Sequence, residues 1–174
     1  MTLFETDIIR LRAFRRQDLD FLIELETDEE VMKTTGIGRA LSVEQIEEGL
    51  KNLVEVDAQP PRVFLAELAS DSSPVAWMML IPTTFDGPEL GFMLPRRLWG
   101  KGLGTQAAIA TIRYGFEAQN LSQIYASTSP TNAASQRVLI KSGMRTHSIS
   151  QRGEGTKAIE LHVFVIDQPD SSKR

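Results

Sequence analysis

The stretch Leu94-Pro-Arg-Arg-Leu-Trp-Gly-Lys-Gly-Leu-Gly-Thr-Gln-Ala-Ala108 constrains this chain more than any other. Glycines stand at alternate positions, Gly100, Gly102 and Gly104, and a helix-forming run follows at once. Glycine reaches φ > 0 without steric cost and leaves no Cβ over its own N–H. A row of such N–H groups at the start of a helix cradles an anion, because the unpaired donors and the positive end of the helix dipole point the same way. Lys101 places a cation within the turn, and Arg96 and Arg97 precede it. The turn reads as a seat for a pyrophosphate, the alternative being a plain glycine-rich link between strand and helix. No stretch supplies the Walker A pattern. Gly102-Leu-Gly104-Thr-Gln-Ala107 does fit the dinucleotide fingerprint G-x-G-x-x-A, which should follow a buried strand directly and precede a ribose-binding acid by about 20 residues. Here polar Pro95-Arg96-Arg97 intervenes, and no Asp or Glu occurs between Glu117 and Glu154. A nicotinamide site fails on that context.

Charge divides the chain in a way that suits such a seat. Residues 1–95 carry 18 acids and 8 bases, a net of −10, whereas residues 96–174 carry 5 acids and 11 bases, a net of +6. A basic half suits a polyanionic ligand and an acidic half a cationic one. With no cysteine, disulfides and thiolate metal sites are excluded. His147 and His162 lack a metal-ligand spacing. Neither a signal peptide nor a membrane-spanning run is legible, so the expectation is a single cytoplasmic domain over 1–174, with a core at about 8–166 and a frayed tail at 167–174.

Hydrophobic periodicity then orders the elements. A first strand is expected over Ile8–Phe14 and an amphipathic helix over Gln17–Glu26. A short helical turn follows at Glu29–Lys33, then a loop over Thr34–Ala40. Ser42 and Gln45 form a capping box for a helix over Val43–Val56 that Ala58-Gln-Pro-Pro61 ends. Val63–Leu68 and Val75–Ile81 read as a hairpin, with Glu89–Leu94 as the next antiparallel strand. The helix after the glycines should reach Ala118. A strand at Gln123–Ser127 precedes a helix capped by Ser129-Pro130 and stopped at Gly143. Arg145–Ser150 and Ala158–Ile166 close as a hairpin around Gly153-Glu-Gly155. The sum is an α+β fold of order β-α-α-β-β-β-α-β-α-β-β. It has a mostly antiparallel mixed sheet of about seven strands, flanked by helices on both faces.

That order resembles the GNAT superfamily of acetyl-CoA-dependent N-acetyltransferases. Trp99-Gly-Lys-Gly-Leu-Gly-Thr105 and Asn132-Ala-Ala-Ser135 carry the resemblance. Within it the chain is similar to the branch of ribosomal-protein N-terminal acetyltransferases. The pieces alike are Arg10-Leu-Arg12 with Asp18, Asp28-Glu-Glu-Val-Met-Lys33, Glu89-Leu-Gly91, Arg137-Val-Leu139 and Lys141-Ser-Gly143. The resemblance implies acetyl-CoA as cosubstrate, no metal, and an amine acceptor. Nucleic acid and membrane are not implied, and homodimerisation is left open.

The resemblance also implies roles for residues. Gly100, Lys101, Gly102, Leu103, Gly104 and Thr105 would hold the pyrophosphate. Trp99 occupies the place of the family's usual Gln or Arg, so Arg96, Arg97 or Lys101 would supply the missing cation, and Lys141 would add to it. Phe92, Met93 and Leu94 would run beside the pantetheine arm as an added strand does, or be plain core. Asn132 would touch that arm, or cap a helix. The helix tyrosine that many members use as the acid is absent from Asn132–Gly143, and Ser135 is the branch's substitute. Glu89 would take the amine proton through water, or be a solvated edge-strand acid. Thr34–Ala40 and Val43–Val56 would wall the acceptor. An α-amine of pKa about 7.7–8.0 needs far less help to lose its proton than a lysine at about 10.4. With no buried acid–base pair legible in the sequence, an α-amine or another weakly basic amine is the expected acceptor. The alternative from another class is a non-catalytic acyl-CoA-binding regulatory module.

Overall fold

The computed structural model describes residues 1–55, 61–153 and 158–169. Among them the elements run β1 (Thr2–Glu5), β2 (Ile9–Arg12), α1 (Leu19–Glu26), α2 (Glu29–Met32), α3 (Val43–Glu55), β3 (Val63–Leu68), β4 (Pro74–Ile81) and β5 (Glu89–Met93). They continue with α4 (Leu103–Arg113), β6 (Gln123–Thr128), α5 (Ala133–Lys141), β7 (Arg145–Arg152) and β8 (Ile159–Asp167). The eight strands make one sheet in the order β1-β2-β3-β4-β5-β6-β8-β7. Every neighbouring pair is antiparallel except β5 and β6.

One strand more than expected is present, because β1 folds back on β2 around Thr6. The Thr6 N–H donates to the Ile9 carbonyl at 2.8 Å, and its hydroxyl accepts from the Ile9 N–H. Four half-exposed residues carry too little alternation to announce such a strand. Ser42 and Gln45 do form the expected box, each side chain accepting the other's backbone N–H. The helix after the glycines is α-helical only to Arg113 and ends in a π-helical turn, Tyr114–Ala118. A Cβ at Gly115 would meet Ile124 Cδ1 at 2.7 Å, so glycine lets this turn press directly on β6. The last helix starts at Ala133 with Asn132 as its cap, rather than at Ser129-Pro130. Gly143, at φ +97°, ends it as expected. The expected helix end at 58–61, the turn at 153–155 and the tail at 167–174 fall largely outside the described residues.

Alternate side chains of the central strands serve two cores. Phe64 and Ala66 of β3 pack with Ala107 and Ala110 of α4, while Leu65 faces Leu22 and Leu25 of α1 and Ile46 and Leu50 of α3. Phe64 and Leu65 are fully buried, and burying such a side chain stabilises by about 1.5–3 kcal/mol. Between β2 and α1, Arg12 donates two hydrogen bonds of 2.8 Å to Asp18 and one to Glu67. Arg12 is 3% exposed. Removing one partner of so buried a cluster costs about 3–5 kcal/mol. This accounts for Arg12 and Asp18 in the Arg10-Leu-Arg12 and Asp18 pattern: their contact anchors the start of α1 to the sheet.

Candidate active site

The sheet divides at β5 and β6. Their parallel pairing holds at a single register pair, Glu89 with Tyr125, supported by the Tyr125 N–H donating to the Pro88 carbonyl at 2.9 Å. Beyond it the strands part, leaving Phe92 and Met93 without a strand partner on the β6 side. A cleft of about 380 Å³ follows this opening to the start of α4. Its lining includes Phe92, Met93 and Leu94, then Gly100, Gly102, Gly104 and Thr105, and across from them Asn132, Ser135 and Lys141 of α5. The sequence-predicted residues thus come together, with four exceptions. Arg97, Lys101, Leu103 and Glu89 do not line the cleft.

The cradle is built as its glycines require. Gly100 and Gly102 have φ +73° and +78°. Gly102 is the N-cap of α4, and the first intrahelical bond runs from the Gln106 N–H to the Gly102 carbonyl. The N–H groups of Leu103, Gly104 and Thr105 are therefore orphan donors. A Cβ at Gly104 would sit in ordinary contact, 3.5 Å from Val138 and 3.6 Å from Leu94, so the packing of α4 does not itself require glycine there.

The cations come from elsewhere than expected. Arg97 donates two hydrogen bonds to Glu24, at 2.6 and 3.0 Å, and Arg96 one to Asp28 at 2.7 Å. Both arginines thus tie the turn to α1 and α2. Lys101 is exposed, outside the cleft. The basic lining consists of Arg137 and Lys141, exposed side chains with no ion pair among the described residues, together with Lys33. Ala134, Arg137, Val138 and Lys141 recur at helical spacing on the cleft face of α5. That period was legible in the sequence and would have found Arg137. Trp99, in place of the family's Gln or Arg, donates its indole N–H to the Leu94 carbonyl at 2.8 Å and borders the cleft.

Asn132 caps α5, its side chain accepting from the Ser135 N–H at 3.1 Å, and also lines the cleft. The Ser135 hydroxyl has no hydrogen-bond partner among the described residues. Glu89 is buried at the foot of the opening, 5% exposed. It accepts from the Ser127 hydroxyl, and Arg152 Nη2 lies 3.3 and 3.5 Å from its two oxygens. The solvated edge acid is therefore not what β5 carries. The sheet does hold a buried acid, which removes the ground for expecting only weakly basic acceptors. Of the expected acceptor wall, Thr34 borders the cleft beside Glu30 and Val31 of α2. Gly49, Asn52 and Leu53 of α3 instead line a larger cavity of about 830 Å³, which shares no residue with the cleft and lacks its row of orphan donors.

A parted parallel pair leading to a row of orphan N–H groups at a helix start makes a cleft suited to an extended, phosphate-bearing ligand. Residues 9–145 match the acetyltransferase (GNAT) domain family, and the chain belongs to it. It is an N-acetyltransferase. The chain is 26% identical over 163 residues, 92% of each chain, to an uncharacterized N-acetyltransferase p20 of Bacillus licheniformis. Its fold is similar to that of a GNAT-family acetyltransferase from Bacillus anthracis, with a TM-score of 0.83 at 22% identity over 98% and 100% of the two chains. The ribosomal-protein-S5-alanine acetyltransferase of Vibrio fischeri follows at 0.73, with 19% identity over 98% of each chain. The spermidine N-acetyltransferase of Vibrio cholerae, solved with CoA and spermine, has a TM-score of 0.72 at 19% identity over 92% and 95%. Among the described residues no helix is long and apolar enough to cross a membrane, and no group of three or more His, Cys, Asp or Glu is placed to hold a metal ion.

Proposed function

We propose that this chain transfers the acetyl group of acetyl-CoA directly to a primary amine, a protein N-terminal α-amine or a small-molecule amine. The observation that carries the reading is the parting of β5 from β6 immediately after Glu89, in line with the orphan N–H groups of α4. A pyrophosphate fits those donors, with Arg137 and Lys141 facing it across the cleft, and an amide-bearing arm fits the unpaired edge of Phe92 and Met93. When bound, acetyl-CoA supplies an activated acetyl thioester.

The chain's own groups then handle the protons. Glu89 lies three residues before Phe92, about 10 Å along the strand, and is the group assigned to take the acceptor's proton. That leaves a neutral amine able to attack. The free hydroxyl of Ser135 hydrogen-bonds the departing sulfur.

The test is the pH–rate profile of Glu89→Gln. Loss of most of the rate at pH 7, with partial recovery at higher pH where the free amine needs no base, supports this assignment. A profile identical to wild type assigns Glu89 to structure alone.

A further inference from the structure

We propose that Glu89 and Arg152 together recognise an acceptor carrying a carboxylate beside its amine, the arrangement of a free α-amino acid; this rests on Glu89 receiving the acceptor's ammonium group.

Glu89, Ser127 and Arg152 come from three strands, β5, β6 and β7, and meet where the two halves of the sheet join. The three differ sharply in accessibility. The Glu89 side chain is 6% exposed, whereas that of Arg152 is 55% exposed. Among the described residues the acid is hydrogen-bonded only by Ser127 and Arg152. The Arg152 contacts are long, at 3.3–3.5 Å, and use one nitrogen, Nη2. Nε and Nη1 have no partner among the described residues. A guanidinium held this loosely moves aside at little cost and still has donors to give.

The pair therefore offers one anionic and one cationic group side by side at a nearly buried point. The complementary ligand presents an ammonium to Glu89 and an anion to the free nitrogens of Arg152. In an α-amino acid these two charges sit on one carbon. An amine without a carboxylate leaves Arg152 unpaired, and a polycation is repelled by it. An amine beside a carboxylate is also more basic than a peptide N-terminus, which gives a buried base a task. The reaction balances as ammonium plus acetyl thioester giving the N-acetyl amino acid, CoA thiol and one proton. The C–S bond breaks as the C–N bond forms, and the amine proton leaves by way of Glu89.

The experiment compares kcat/KM for a panel of protein amino acids with that for the corresponding amino acid amides, using acetyl-CoA and reading products by mass spectrometry. The amides keep the ammonium and side chain but lack the charge. Wild type is expected to favour the preferred acid over its amide by at least about tenfold, the scale of hydrogen bonds to a charged group. Arg152→Ala is expected to collapse that ratio toward one, and Arg152→Lys to keep part of it. Amides or spermidine preferred by wild type would overturn the proposal while leaving the acetyltransferase reading intact. A ratio unchanged in Arg152→Ala, with both rates lowered together, would overturn it in favour of a clamp between sheet halves. Turnover of neither set, with CoA still raising the melting temperature, would overturn the assignment of Glu89 as well.

Discussion

Trp99 closes the turn behind β5 by donating its indole N–H to the Leu94 carbonyl at 2.8 Å. Leu94 is the last cleft-lining residue of the β5 segment, and Gly100 follows Trp99 directly, with Gly102 two residues further on. One side chain therefore sets where the strand ends relative to the cradle. A Gln or Arg at this place could reach toward phosphate; the tryptophan acts on the loop instead.

Trp99→Phe keeps the ring and loses the donor. Loss of one such bond is about 1 kcal/mol, so the KM for acetyl-CoA should rise roughly fivefold with kcat little changed. Initial-rate kinetics at a fixed acceptor concentration check this. A KM within about twofold of wild type would show that the turn holds its shape without the bond.

Ser135 tests the other end of the cleft. Its hydroxyl lacks a partner, whereas its N–H is already held by Asn132. If the hydroxyl helps the departing sulfur, Ser135→Ala should lower kcat about tenfold, about 1.4 kcal/mol, with an unchanged KM for acetyl-CoA. A raised KM with normal kcat would reassign it to binding.

Most of the architecture could be read in the chain because each element has local causes: the capping box at Ser42, the glycine stop at Gly143, and the change from period 3.6 to period 2 after Arg62. The glycine turn announced the cradle for the same reason. What could not be read depended on partners distant in sequence. Nothing near Arg97 reveals that Glu24 will claim it, or that Asp28 will claim Arg96, so the cations nearest the turn looked available. Glu89 looked like an edge acid because its cover, Ser127 and Arg152, lies 38 and 63 residues further along. Asn132 could be read either as cap or as cleft residue, and it is both.

Glu26 at the end of α1 is half-buried, and burial pushes its carboxyl above the ordinary value. The folded chain then keeps this proton to higher pH than the unfolded one, so stability falls as pH rises through that window. Glu26→Gln should melt at a higher temperature than wild type at pH 7, and the gap should close toward about pH 4, where both forms are neutral. Thermal melts across that range decide it. A variant less stable than wild type at pH 7 would mean that the carboxylate is needed in its charged form.

The seat at the start of α4 is tested most directly by a charge placed in it. Thr105 is the third residue of the helix and lines the cleft. A glutamate there suits the helix dipole of the free protein but repels a pyrophosphate held by the same N–H groups. The measurement is the melting temperature of wild type and Thr105→Glu, each with and without millimolar CoA. The expected result is a rise of several degrees for wild type with CoA. The variant should melt at least as high as wild type without ligand and show no rise with it. An equal rise in both proteins, or none in wild type, would contradict the placement of the cosubstrate in this cleft.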